Sequence, residues 1–185
     1  CKFAYEENNN SRFIHQPIED ISVQYLSSLY PQNHTKILVG CAPCQPYSKY
    51  TQKKQTQDQK WMLLDMFADL ILAVQPDVVS MENVPELLNF KKGEVFNKFA
   101  SKLSKEYHVS THIVYCPNYG IPQRRKRLVF FASKYQAINI LPPTHEPENY
   151  LTVADTIAHL PPINAGETHP IDPLHRASSL SEINL

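Results

Sequence analysis

The stretch that decides the fold runs from a short apolar segment into a turn that contains two cysteines: Lys36-Ile37-Leu38-Val39-Gly40-Cys41-Ala42-Pro43-Cys44-Gln45-Pro46-Tyr47-Ser48. Residues 37–39 predict a short buried strand. Gly40 and the two prolines that follow end the strand and turn the backbone. Open α/β sheets place their chemistry just past such strand ends. Cys44, held between Pro43 and Pro46, is therefore a candidate nucleophile on a stiff turn.

Three other interpretations of these cysteines have to be weighed. A buried cysteine that packs as a small hydrophobic residue is common, but the flanking prolines favour a loop. A zinc site needs four ligands, and Cys41 and Cys44 supply only two, so we expect no metal. A redox dithiol is the strongest rival, because Cys-Ala-Pro-Cys after a strand has the spacing of a thioredoxin motif.

Length and composition indicate a single domain without a membrane-spanning segment. The 185 residues are 42% hydrophobic and carry zero formal net charge, so they suffice for one domain and show no global basic field. The four cysteines lack the spacing of a disulfide framework, which favours a reducing intracellular compartment. No apolar run is long enough to span a membrane. The chain starts on Cys1 and ends on Leu185 without a stop signal, so we expect an internal fragment.

Hydrophobic periodicity predicts alternating strands and helices. Strands are predicted at 12–15, 37–39, 77–81, 108–116 and 127–132, and helices at 20–29, 61–75, 93–107 and 152–160. The polar residues 49–60 predict a mobile exposed loop. Such alternation is typical of an α/β fold, with a parallel-type sheet and helices on both faces.

Chemically distinctive residues stand at the ends of three of the predicted strands. They are Cys44, Glu82 and the pair Arg125 and Arg127 within a basic cluster at 124–127. Each alone has an ordinary structural explanation, since a glutamate at a strand end is usually solvated and a basic run is usually an exposed face. Strand ends of one sheet converge, however, so a thiol, a carboxyl and two arginines are expected to share one site. Arginine near a cysteine favours the reactive thiolate.

The order of these motifs resembles that of the cytosine-5 DNA methyltransferases of bacterial restriction–modification type. The matching stretches are Gly-x-x-Pro-Cys-Gln from Gly40, Glu-Asn-Val from Glu82, and Gln-x-Arg-x-Arg from Gln123. The resemblance covers residues 5–134. It gives a role to Glu82 and to the arginines, which the thioredoxin interpretation leaves unexplained.

The resemblance implies a Rossmann-like sheet of an S-adenosylmethionine-dependent methyltransferase, incomplete at both ends. It implies that Cys44 adds to carbon 6 of a flipped cytosine in double-stranded DNA, so that the cofactor's methyl group reaches carbon 5. Glu82 would hold or protonate ring nitrogen 3, Arg127 would bind the carbonyl oxygen, and Arg125 would lie near the thiolate. The remaining implied site residues line the cofactor or touch DNA: Ile18, Pro43 and Leu63 for the cofactor, and Gln45, Ser48, Asn83 and Gln123 for nucleic acid.

The same resemblance implies a protein of the bacterial cytoplasm that acts as a monomer. We expect residues 1–141 to be a partial catalytic domain and residues 142–185 a proline-rich extension toward a target-recognition domain. The family's Phe-x-Gly-x-Gly turn is absent, and Pro17 stands where the family has an acid, so we expect the fragment alone to be inactive. Two alternatives stay open from the residues: a thiol–disulfide oxidoreductase using Cys41 and Cys44, and a non-catalytic half of a split enzyme.

Overall fold

The structure is a computed structural model and describes residues 2–44 and 61–184. The predictions for Gln45, Ser48 and the loop at 49–60 therefore lie outside the described residues. In the described part the chain forms four strands and five α-helices. In chain order these are α1 (Lys2–Asn8), α2 (Val23–Ser28), β1 (Ile37–Gly40), α3 (Met62–Val74), β2 (Val78–Asn83), α4 (Glu94–Leu103), β3 (His108–Tyr115), β4 (Lys126–Ser133) and α5 (Val153–Ile157).

The four strands form one mixed sheet in the order β1-β2-β4-β3. The α/β class is confirmed, but only β1 and β2 run parallel, whereas β4 is antiparallel to both β2 and β3. The expectation of a parallel-type sheet was wrong for the second half of the chain. Residues 116–125 connect β3 to β4 through a 3-10 turn, Cys116–Tyr119, without an α-helix. This connection is shorter than the dozen or more residues that a parallel crossover needs, so the two strands are antiparallel neighbours.

The hydrophobic core lies between α3, α4 and one face of the sheet. Helix α3 contributes buried residues at helical spacing, and β2 and β4 contribute every second residue: Leu64, Phe67, Ala68 and Ile71, then Val79 and Met81, then Leu128, Phe130 and Ala132. The ring of Phe99 in α4 packs edge-on against Phe130 at 5.0 Å between centroids. This packing anchors β2 and β4, the two strands that carry the acid and the arginine of the site.

The opposite face of the sheet is open at β1. Ile37 is 57% exposed and Val39 is 70% exposed, so the predicted buried strand is half-exposed. The reason is its position, because β1 lies at the edge of the sheet in the described part of the chain.

Strand and helix ends differ from the predictions in places. The strand predicted at 12–15 is absent. The helix predicted at 20–29 splits into a 3-10 turn, Ile18–Asp20, and the short α2, because Ser22 is extended and its side chain caps the amide of Tyr25. Within residues 2–44 and 61–184, every helix is too short or too polar to cross a membrane.

Candidate active site

Glu82 and Arg127 meet on the face of the sheet opposite the core. Glu82 lies in β2 directly across from Val129 of β4, and Arg127 is two residues from Val129 and so points to the same side. Arg127 Nε lies 2.5 Å from Glu82 Oε1, with the two side chains 20% and 43% exposed. The sequence predicted that these two side chains share one site, and the structure brings them into contact.

Cys41 completes this cluster from the neighbouring strand. Strands β1 and β2 are parallel, and Gly40 pairs with Met81. Cys41, the first residue after β1, therefore lies beside Glu82 of β2. The Cys41 thiol donates a hydrogen bond to Glu82 Oε2 at 3.2 Å. The sequence assigned this cysteine no role in methyl transfer, and only the register of the two strands shows the contact.

The thiol of Cys41 is held in its protonated form. Loss of water around the sulfur, followed by the hydrogen bond and the negative charge of Glu82, raises the pKa of Cys41 to about 11. A thiol with that pKa is almost entirely protonated at neutral pH, and the thiolate is the attacking form in disulfide exchange. This disfavours the oxidoreductase interpretation, which needs Cys41 as half of a reactive pair.

Cys44 lies three residues beyond Cys41 and is exposed as a free thiol. It is near enough for an electrostatic interaction between the two side chains to contribute to the raised pKa of Cys41. The candidate nucleophile therefore lies in the same neighbourhood as the Glu82–Arg127 pair. Its catalytic role stays a prediction.

Asn83 ties the segment that carries the cysteines to the end of β2. Its side chain is 1% exposed, and its amide nitrogen donates to the carbonyl oxygen of Ala42 at 2.9 Å. Its amide oxygen accepts from the backbone N–H of Val84 at 2.8 Å. These contacts are to protein backbone and hold the turn in place, so contact of Asn83 with DNA stays a prediction.

Gln123 was predicted to contact nucleic acid and Arg125 to lie near the Cys44 thiolate. Both residues are exposed in the connection before β4. The carbonyl oxygen of Arg125 accepts a hydrogen bond from the backbone N–H of Cys116 at 2.9 Å, which fixes the backbone there. The roles predicted for both side chains stay predictions.

A cavity of about 420 Å³ opens beside the end of β1. Ile18, Pro43 and Leu63, the three residues predicted to contact the cofactor, all line this one cavity. Its volume falls in the range of small-molecule sites, about 300–1,000 Å³. Cys41 lines the cavity as well, so this residue joins the cavity to the Glu82 cluster.

Polar residues that were not predicted also line this cavity. Gln16 and Glu19 line it together with Ile21. Glu19 supplies a carboxylate two residues after Pro17, where an acid was expected and not found. The available signal was the pair Glu19 and Asp20 after a proline, which is typical of the first turn of a helix. An apolar cavity with a few polar groups fits a nucleoside-containing cofactor.

Together, fold and site define an α/β domain in which the segment that carries the cysteines lies between a cavity of small-molecule size and an acid–arginine pair. The family model for C-5 cytosine-specific DNA methylase matches residues 1–176. The chain belongs to this family.

Individual relatives agree with that assignment. The chain is 53% identical over 186 residues to the type II methylase M.HgiDII of Herpetosiphon aurantiacus, covering 100% of this chain and 52% of that protein. It is 31% identical over 141 residues to the type II methyltransferase M1.HphI of Haemophilus parahaemolyticus, covering 73% of this chain and 37% of the other. The chain thus spans about half the length, or less, of these relatives.

The fold also matches a solved structure. The Entamoeba histolytica methyltransferase EhMeth superposes with a TM-score of 0.60 at 24% identity, covering 78% of this chain and 46% of that chain. At this identity the match supports the fold alone.

Proposed function

We propose that the complete protein transfers a methyl group from S-adenosylmethionine to carbon 5 of cytosine in DNA. The observation that carries the proposal is the position of the segment from Gly40 to Cys44 between two features. On one side lies the 420 Å³ cavity, and on the other lies Glu82, bound to Arg127. Family membership supplies the chemistry that such an arrangement performs.

In this proposal Cys44 attacks carbon 6 of the cytosine as a thiolate, forming a carbon–sulfur bond that makes carbon 5 nucleophilic. Negative charge develops on the ring as the sulfur adds. Glu82 gives a proton to ring nitrogen 3 and thereby neutralises that charge. Carbon 5 then receives the methyl group and loses its proton to water, the carbon–sulfur bond breaks, and Cys44 leaves as a thiolate. Ring nitrogen 3 returns its proton to Glu82, which restores the starting state.

Arg127 serves two purposes in the same step. Its Nε holds one oxygen of the Glu82 carboxylate, and its Nη1 donates to the carbonyl oxygen of Lys126 at 2.9 Å. The other N–H donors would bind the carbonyl oxygen of the cytosine. A guanidinium has five donors in a fixed plane, so one side chain suits both contacts. Arg125 supports the Cys44 thiolate by its positive charge.

The cavity is the proposed site of S-adenosylmethionine, which supplies an electrophilic methyl group when bound. Ile18, Pro43 and Leu63 provide apolar surface, and Gln16 and Glu19 provide hydrogen-bonding groups. Cys41 lines this cavity and also touches Glu82. The methyl donor and the cytosine would therefore be held on adjacent sides of one short segment.

The proposed substrate is double-stranded DNA with the target cytosine turned out of the helix. A stacked base presents only its edges, so carbon 6 is accessible to a thiol only after the base has flipped. Gln45, Ser48, Asn83 and Gln123 are the proposed DNA-contacting residues. We propose a monomer that acts in the bacterial cytoplasm, where the DNA substrate of a restriction–modification enzyme is found.

The product of the reaction tests this function. The complete protein is incubated with DNA and S-adenosylmethionine carrying a labelled methyl group, and the DNA is then digested to nucleosides. We expect labelled 5-methylcytosine from the wild type and no label with Cys44→Ala, while Arg124→Ala retains activity. Label on an exocyclic nitrogen of cytosine or adenine would overturn the proposal, because that chemistry does not need Cys44.

A further inference from the structure

Two different residues hold the two oxygens of the Glu82 carboxylate. Arg127 Nε contacts Oε1 at 2.5 Å, and the Cys41 thiol donates to Oε2 at 3.2 Å. We propose that Cys41 is a positioning residue for Glu82, which fixes the plane of its carboxylate for proton transfer to the base. This inference rests on the proposed function, because it takes Glu82 to be the group that carries the proton.

The geometry explains why a second contact is needed. The last torsion of a glutamate side chain is broad and roughly two-fold, so a carboxylate held at one oxygen can still rotate. Holding both oxygens from two strands removes that freedom. A carboxylate has about four lone-pair positions, and the two contacts occupy two of them. The other lone-pair positions of the carboxylate therefore remain available for the cytosine base.

A thiol is suited to this task because it can both donate and accept a hydrogen bond, though weakly. While Glu82 is ionised, Cys41 donates to Oε2. If Glu82 carries its proton on Oε2, the sulfur accepts from that hydroxyl, and the contact survives. When the proton passes to ring nitrogen 3, the carboxylate re-forms and the thiol donates again. Cys41 keeps its own proton throughout, so no proton is gained or lost at this residue.

Arg127 cannot make the same adjustment. A guanidinium has donors but no acceptor, so its contact with Glu82 is favourable chiefly when the carboxylate is ionised. Cys41 is therefore the partner that can hold Glu82 in both protonation states. A serine at this position retains a donor and an acceptor, whereas an alanine retains neither.

The first test compares Cys41→Ala with Cys41→Ser in the complete protein, under single-turnover conditions with saturating DNA and methyl donor. We expect Cys41→Ala to slow methyl transfer roughly tenfold, the size of one net hydrogen bond. A separate titration should show little change in the Kd for DNA. Cys41→Ser should recover most of that rate, to within about threefold of the wild type. Thermal unfolding of both variants shows whether either substitution damages the fold.

Two outcomes would overturn the positioning role. If Cys41→Ala methylates as fast as the wild type, or faster, the thiol does not help Glu82. If Cys41→Ser is as slow as Cys41→Ala at equal thermal stability, the rate depends on the sulfur or on packing and not on a hydrogen bond.

The second test does not depend on methyl transfer. The pH dependence of alkylation by iodoacetamide is measured for Cys41, with peptide fragmentation separating it from Cys44. Glu82→Gln removes the negative charge beside the thiol, so alkylation of Cys41 at pH 8 should rise roughly three- to tenfold. Glu86→Gln, four residues further along the chain, is the matched control and should leave alkylation unchanged.

The two tests separate the two claims. An unchanged alkylation rate in Glu82→Gln would show that the Cys41–Glu82 contact is absent, which overturns the positioning role whether or not the protein methylates DNA. A raised rate in a wild-type protein that produces no 5-methylcytosine would show that the contact exists and that the proposed function is wrong.

Discussion

Glu82 illustrates how one residue depends on three strands. Pairing of β2 with β4 fixes the backbone of Glu82 near the end of β2. Arg127 contacts the Oε1 atom of its carboxylate, and Cys41 contacts the Oε2 atom. A substitution there tests proton transfer with little disturbance of packing, because 43% of the side chain is exposed.

We expect Glu82→Gln to slow methyl transfer far more than it weakens DNA binding. Glutamine retains the size and hydrogen-bonding capacity of the side chain but cannot deliver the proton, and general acid–base groups are worth roughly 100- to 10,000-fold in rate. The measurement is single-turnover methyl transfer beside a DNA-binding titration of the complete protein. A loss of DNA affinity as large as the loss of rate would mean that Glu82 is only a binding residue.

Arg127 and Lys126 are neighbours in β4 whose side chains leave on opposite faces of the strand. Arg127 contacts Glu82, whereas the Lys126 ammonium lies over the ring of Tyr115, 5.9 Å from its centroid. We therefore expect Arg127→Ala to reduce both DNA binding and methyl transfer, the rate by at least roughly a hundredfold, since it leaves a carboxylate without its charged partner. Lys126→Ala removes a similar charge and should change the rate by less than about threefold. Equal and mild effects of Arg127→Ala and Lys126→Ala would mean that the basic cluster is only a solvated face.

At the scale of elements, the contact between β1 and α3 depends on a glycine. A Cβ atom at Gly40 would lie 2.4 Å from the ring of Phe67, so the helix packs onto the strand only because the side chain is absent. The turn that follows this glycine carries Cys41 and Cys44. The position of the segment that carries the two cysteines is thus set by helix packing.

Gly40→Ala should therefore destabilise the protein by about 1–3 kcal/mol, the usual cost of overpacking a core. Chemical denaturation followed by circular dichroism measures it. The double variant Gly40→Ala with Phe67→Leu is the control, because a smaller side chain makes room for the methyl group and should cost less than the sum of the two single changes. If the losses in the free energy of unfolding were fully additive, the side chains at positions 40 and 67 would not be in steric conflict.

Helices α3 and α4 are also joined by ion pairs. Asp65 contacts Lys98 at 2.7 Å and Lys102 at 3.2 Å. The hydrogen bond from Lys98, assisted by Lys102, lowers the pKa of Asp65. A lowered folded-state pKa means that the stabilisation is present above the unfolded pKa of about 3.9 and is lost as pH falls through the folded value.

Asp65→Asn should lower the free energy of unfolding at pH 7 by less than about 1 kcal/mol, because Lys98 is 63% exposed and Asp65 is 32% exposed, so that solvent screens the pair. The difference from the wild type should shrink as pH falls below about 3.9, and also in 1 M NaCl, which screens exposed charges. Urea denaturation at several pH values measures it. A difference that stays constant with pH and salt would assign the effect to packing.

Much of the element pattern could be predicted from the sequence. The helix at 61–75 was predicted from a wide apolar stripe, and α3 (Met62–Val74) occupies nearly the same residues. The exposure of β1 could not be predicted, because an apolar strand at the edge of a sheet has the same pattern as one at its centre. Strand direction was missed for β3 and β4 for a similar reason: periodicity says which residues share a face, not which way the neighbour runs.

At the scale of the molecule, the site is assembled at one end of the sheet from segments far apart in the chain. The convergence of strand ends predicted the contact between Glu82 and Arg127. The family resemblance predicted that Ile18, Pro43 and Leu63 share a site, and the structure places these three residues around one cavity. The contact of Cys41 with Glu82 depends on the register between β1 and β2, which no pattern in the sequence specifies. The division into residues 1–141 and 142–185 stays a prediction.

The central claim is that Cys44 is the nucleophile that bonds to cytosine, and a mechanism-based trap tests it most directly. DNA with 5-fluorocytosine at the target position allows the thiol to add and the methyl group to transfer, but the fluorine cannot leave carbon 5 as the proton does. We predict a stable covalent complex of the complete protein with this DNA, in the presence of S-adenosylmethionine, and an adduct mass on the peptide that contains Cys44. Cys44→Ser should form no such complex, whereas Cys116→Ser should form it; a covalent complex with Cys44→Ser, or an adduct on Cys41, would contradict the account.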